Sequence, residues 1–151
     1  MPGPATDADV VERLVDLVRA MGRVPIQVRV DSTGLVWNRL QAALLREALQ
    51  MLEDDVADAA TIDACIELGL ARRWVATGPL TTAELGGLDT FARVTTILFP
   101  DLSAATEPPE RLRTGVRPMD DAERAAATRL REQALIATEP IAEARRALLE
   151  G

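Results

Sequence analysis

Between residues 7 and 21 the apolar positions Val10, Val11, Leu14, Leu17 and Val18 recur three and four residues apart, the spacing that lines up side chains on one face of a helix. Thr6 or Asp7 can cap that helix, and Gly22 follows where a C-terminal glycine belongs. The period then changes from helical to alternating. Val24, Ile26, Val28 and Val30 alternate with Arg23, Pro25, Gln27 and Arg29, which predicts a short strand over residues 23 to 30. Pro25 places it at a sheet edge or a strand start. One strand cannot satisfy its own backbone groups. This front unit therefore pairs with a second copy of itself, adds to another protein's sheet, or is loosely attached.

After the turn "DSTG" at residues 31 to 34, the pattern is helical throughout. Leu40, Leu44, Leu45, Ala48, Leu49 and Leu52 give the segment from 35 to 53 a wide apolar face, enough to pack on two sides. "DDVADAA" connects it to a helix over "TIDACIELGL", capped near Thr61 with Asp58 and Asp63 close by, and "ARRWVATGPL" reads as a loop. Thr81 or Thr82 caps a helix to about residue 98 that carries Leu85, Leu88, Phe91, Val94, Ile97 and Leu98. A short helix follows near 108 to 114, then a long Ala- and Arg-rich helix that Pro140 kinks or breaks. The chain is mainly α.

Composition narrows the function classes. A length of 151 residues with 48% hydrophobic content suits an ordinary domain with a core. A net charge of -7 argues against sequence-independent nucleic-acid binding and against a basic membrane-surface helix. No apolar run reaches the ~18 residues of a membrane span. "MPGPATDADV" lacks a signal-peptide pattern and reads as a natural start, so the expected location is cytoplasmic. The single cysteine, Cys65, has apolar neighbours and reads as a small core residue. The chain has no histidine, lysine or tyrosine, which removes a histidine-ligated metal site, Schiff-base chemistry and a tyrosine general acid.

Three ordered stretches carry a resemblance: "GLVWNRLQAALLREALQMLEDDVAD", "IDACIELGLARRW" and "TGPLTTAELGGLDT". Together they resemble the C-terminal, substrate and dimerisation domain of the 3-hydroxyacyl-CoA dehydrogenase family, in the branch that includes gulonate 3-dehydrogenase and lambda-crystallin. The resemblance covers about residues 6 to 103, and more weakly the last helix. It implies a helical bundle like the C-terminal domain of 6-phosphogluconate dehydrogenase over residues 35–151. Residues 1–34 would be a residual helix and strand of a nucleotide-binding domain plus its linker. The G-x-G-x-x-G fingerprint is absent, and the family's catalytic histidine would lie in the domain that precedes this region. The resemblance thus implies no cofactor in this chain, and NAD only where a partner supplies a Rossmann domain. It also implies that Asn38 matches a substrate-contacting asparagine. Thr33, Leu35, Trp37 and Ala71 depart from the family pattern, and Trp37 fills space a substrate or second domain would occupy.

Asn38 reads equally as a helix-start amide and as a retained substrate contact. Trp37, Arg72 and Arg73 are the accompanying binding candidates, with solvated arginines beside a packed Trp74 as the bland reading. No catalytic residue is fixed; the candidates are Asn38, Glu47, Glu84 and Asp89. Glu84 and Asp89, five residues apart on one helix, do not share a face and suit capping. Three functions follow. One is a homodimeric substrate-binding or accessory subunit for an acyl-CoA or related thioester in fatty acid metabolism, completed by a separate nucleotide-binding subunit. Another is a cyclase, dehydratase or isomerase on an acyl-thioester or polyketide-like substrate. The last is a structural dimerisation remnant.

Overall fold

The computed structural model describes residues 2–3, 5–117 and 119–150. The chain divides into two compact units, Met1–Leu44 and Leu45–Gly151. Every regular element among the described residues is helical.

In the first unit, α1 spans Ala8–Ala20. Its end is fastened by two reversed bonds, with the Gly22 N–H donating to the Arg19 carbonyl at 2.8 Å and the Arg23 N–H to Val18 at 3.1 Å. Val11, Val15 and Val18 line a groove of about 470 Å³ together with Val24, Pro25 and Ile26. The strand expected over 23 to 30 does not form; these residues are irregular. Their alternation is that of a strand, but a ladder needs a second strand, and none exists among the described residues.

Helix α2, Leu35–Glu53, begins in the first unit and runs into the second. It closes like α1. Val56 N–H donates to the Met51 carbonyl at 2.9 Å, and Asp55 takes the left-handed position at φ 56°. Asp58, rather than Thr61, caps α3 (Ala59–Cys65), accepting from the Thr61 N–H at 2.7 Å. The helix then continues where a loop was expected. A π-helical turn, Ile66–Leu70, carries it into α4, Ala71–Trp74. Cys65 is exposed, not in the core.

The single helix expected from 81 to 98 is two, α5 (Pro79–Gly86) and α6 (Leu88–Leu98). Gly87 separates them at φ +89°, a conformation that costs a residue with a Cβ dearly. Neither Thr81 nor Thr82 caps α5: Gly78 is the cap and Pro79 the first helical residue, where its fixed φ and missing N–H are tolerated. A 3-10 turn, Phe99–Asp101, leads to α7 (Arg111–Thr114) and α8 (Asp121–Glu150). Asp120 and Glu123 form a reciprocal capping box at the start of α8. Pro140 does not break this helix, which runs through it.

Among the described residues of the second unit the buried side chains are few: Leu49 on α2, Ile62 on α3 and Ser103 after the 3-10 turn. Substantial contacts join chain neighbours such as α5 with α6, and among the described residues no element packs extensively along α8. Large apolar side chains are left in solvent, among them Leu80 at 83%, Ile97 at 76% and Ile136 at 74% exposed.

Candidate functional site

The turn before α2 sets the stage for Asn38. Gly34 and Leu35 both hold positive φ, 78° and 51°, and the Leu35 N–H donates to the Ser32 carbonyl at 2.9 Å. Left-handed backbone costs a residue such as leucine about 1–2 kcal/mol, strain of a kind that gathers at functional positions. Asn38 follows in the first turn of α2. Its amide is exposed and makes no hydrogen bond to any described residue. It does not satisfy orphan backbone donors, so both its donor and its acceptor face outward. Trp37 beside it is 78% exposed. An indole in solvent next to a free amide forms an amphipathic surface rather than a filled interior.

The other candidates lie in the second unit. Glu47 does structural work: its Oε2 accepts the Ser103 N–H at 2.8 Å. The Ser103 hydroxyl donates to Gln50 Oε1 at 3.4 Å, and the Gln50 amide nitrogen donates in turn to both oxygens of Asp54. This chain of bonds ties the loop after the 3-10 turn to α2. A carboxylate holding a buried backbone N–H is poorly placed for proton transfer. Glu84 sits in the last turn of α5 and Asp89 in the first turn of α6. They are on different helices, not one, and both are exposed. Asp89 meets the positive end of the α6 dipole. Arg72 and Arg73 are exposed on α4, and no ion pair joins either to a described carboxylate. Thus no hydrogen bond or ion pair links Arg72, Arg73, Glu84 and Asp89 to one another. No group of three or more metal-ligating side chains gathers among the described residues.

One carboxylate does have a shifted acidity. Asp58 is held below its ordinary value, chiefly by the Thr61 N–H, then by the Thr61 side chain, with Arg117 adding a weaker positive field. Sequence reasoning missed the neighbourhood of that arginine. Leu45, Leu49 and Leu52 of α2, Ile62 and Asp63 of α3, Val116, Arg117 and Met119, and Arg124 of α8 line a groove of about 340 Å³. These residues are scattered over 80 positions, and no motif announces them.

The Gly–x–x–x–Asn stretch, Gly34 to Asn38, stands at the head of α2. Residues 34–133 match the model of the 3-hydroxyacyl-CoA dehydrogenase C-terminal domain, and the chain belongs to that family. Among relatives, it is 36% identical over 101 residues to the 5-formyl-3-hydroxy-2-methylpyridine 4-carboxylate 5-dehydrogenase of Mesorhizobium japonicum, covering 67% of this chain and 33% of that one. It is 34% identical to rabbit (Oryctolagus cuniculus) lambda-crystallin over 85 residues, 56% of this chain and 27% of the other. With the lambda-crystallin homolog of Bos taurus it shares 30% over 146 residues, 85% and 44% of the two chains. The solved structure of the 5-formyl-3-hydroxy-2-methylpyridine 4-carboxylic acid 5-dehydrogenase, described as an NAD+-dependent dismutase, superposes with a TM-score of 0.78 at 28% identity. That match covers 99% of this chain and 50% of the other. The chain thus spans well under two thirds of the relatives it matches. Among the described residues no helix is long and apolar enough to cross a membrane.

Proposed function

We propose that this chain is a homodimeric substrate-binding or accessory subunit, not a complete NAD-dependent dehydrogenase by itself. The carrying observation is the solvent-facing apolar surface of the second unit. Leu80 and Leu85 on α5, Ile97 on α6, and Leu130, Leu135 and Ile136 on α8 are all exposed. Most helical stability in proteins comes from packing an apolar face, and along the 30 residues of α8 little is packed among the described residues; a second copy would supply the cover. The residue inventory supports the other half of the reading. With no histidine and no G-x-G-x-x-G, these residues offer neither a histidine base nor a dinucleotide fingerprint. NAD would enter with a separate nucleotide-binding chain, to whose sheet residues 24 to 30 could add. The ligand would be an acyl-CoA or related thioester of fatty acid metabolism, met at the exposed Trp37 and Asn38, in the cytoplasm.

Light scattering of the purified chain should give the mass of a dimer. An acyl-CoA should raise its melting temperature, and NAD alone should not. Oxidation of a 3-hydroxyacyl-CoA by NAD with this chain alone would overturn the proposal.

A further inference from the structure

We propose that the groove between α2, α3 and residues 116–124 is a binding site for a small unbranched aliphatic carboxylate. Its apolar wall is built at helical spacing: Leu45, Leu49 and Leu52 lie on successive turns of α2, and Ile62, Val116 and Met119 complete it. A volume near 340 Å³ falls at the small end of ligand pockets. The charged groups give the ligand its second property. Arg117 and Arg124 line the groove with Asp63, two positive groups against one negative. Neither arginine lies within ion-pairing distance of a described carboxylate. Asp58 lies near enough to Arg117 to feel its field. A purely apolar occupant, such as a leucine from a second copy, would use the wall and leave the two guanidiniums to water. A carboxylate on an alkyl chain satisfies wall and arginines together. This site is independent of the dimer reading and of the surface at Asn38.

The test titrates octanoate, decanoate, dodecanoate and decanol into the full chain by calorimetry. Each added methylene should tighten carboxylate binding about fourfold until the groove is full. Arg117→Gln with Arg124→Gln should weaken decanoate about tenfold and leave decanol unchanged. Both side chains are exposed, and far-UV circular dichroism checks the fold; should the double variant unfold, Arg124→Gln alone is read the same way. Equal affinity for decanoate and decanol would overturn the site, as would a double variant that binds decanoate normally. So would absent binding together with a change of mass in the double variant, which would make the groove an interface between copies. Acyl-CoA stabilisation surviving in the double variant would separate this result from the fate of the proposed function.

Discussion

Asp58 shows how one side chain sets a boundary and a pH dependence together. Its carboxylate accepts the Thr61 N–H at 2.7 Å, which favours the charged form and lowers its folded pKa below the ordinary 3.8. The sign follows from linkage: a depressed folded pKa gives stability that is full above the unfolded value and lost as pH falls through the folded one. Asp58→Ala should therefore lower the unfolding midpoint from neutral pH down to about pH 4, and the gap to wild type should close below that. Urea unfolding across pH measures it. Glu47 makes the contrasting case. A catalytic candidate in the sequence, it is the anchor of Ser103, 56 residues away. Glu47→Ala should destabilise the chain by about 1–2 kcal/mol, while Glu47→Gln, which keeps an acceptor, should lose less. Leu35 is a third residue whose conformation was invisible in advance. Leu35→Gly should stabilise by about 1 kcal/mol by relieving the left-handed strain. The motif around Asn38 is legible in the sequence because its residues are contiguous. The Glu47–Ser103 bond and the Arg117–Arg124 groove are not, because long-range partners leave no periodic trace.

At the scale of elements, helix content was legible and helix boundaries were not. The apolar period runs unbroken from Leu80 through Leu98, so nothing in it betrays the break at Gly87. The break is a backbone event, and the period reports only which face is apolar. The loop expected at "ARRW" failed for the opposite reason. Arginine and tryptophan are ordinary helix residues, and the π turn at Ile66–Leu70 takes up the irregularity without ending the helix. The α5–α6 corner is tight as well: a Cβ on Gly86 would lie 2.5 Å from Phe91 Cε2. Gly86→Ala should cost about 1–3 kcal/mol, and Phe91→Leu in the same chain should recover part of the loss; thermal melts of the three variants measure both. Residues 23 to 30 teach the complementary lesson. Their alternation was read correctly as a property of the sequence, but a strand is a property of a pair, and the partner is not among these residues.

Over the whole molecule, the second unit shows more apolar surface than its own core can hide. With only Leu49 and Ile62 buried among the large apolar side chains of the described residues, little is gained from hydrophobic burial alone. The family membership established by residues 34–133 and the superposition over 99% of the chain show the fold, so the exposed faces belong to a folded chain. Under the proposed dimer, Leu130→Glu with Ile136→Glu should halve the mass measured by light scattering, without loss of the far-UV helix signal. The same feature makes α8 a gauge of assembly. At about 45 Å long, with little packed along it among the described residues beyond its first turn, its backbone amides should exchange with solvent quickly in dilute protein. In concentrated protein the same amides should exchange slowly. Those of α2 around Leu49 should change less. Protection would then climb with concentration in one helix first, so that the rate at which deuterium enters residues 121 to 150 reads how many chains have found a partner.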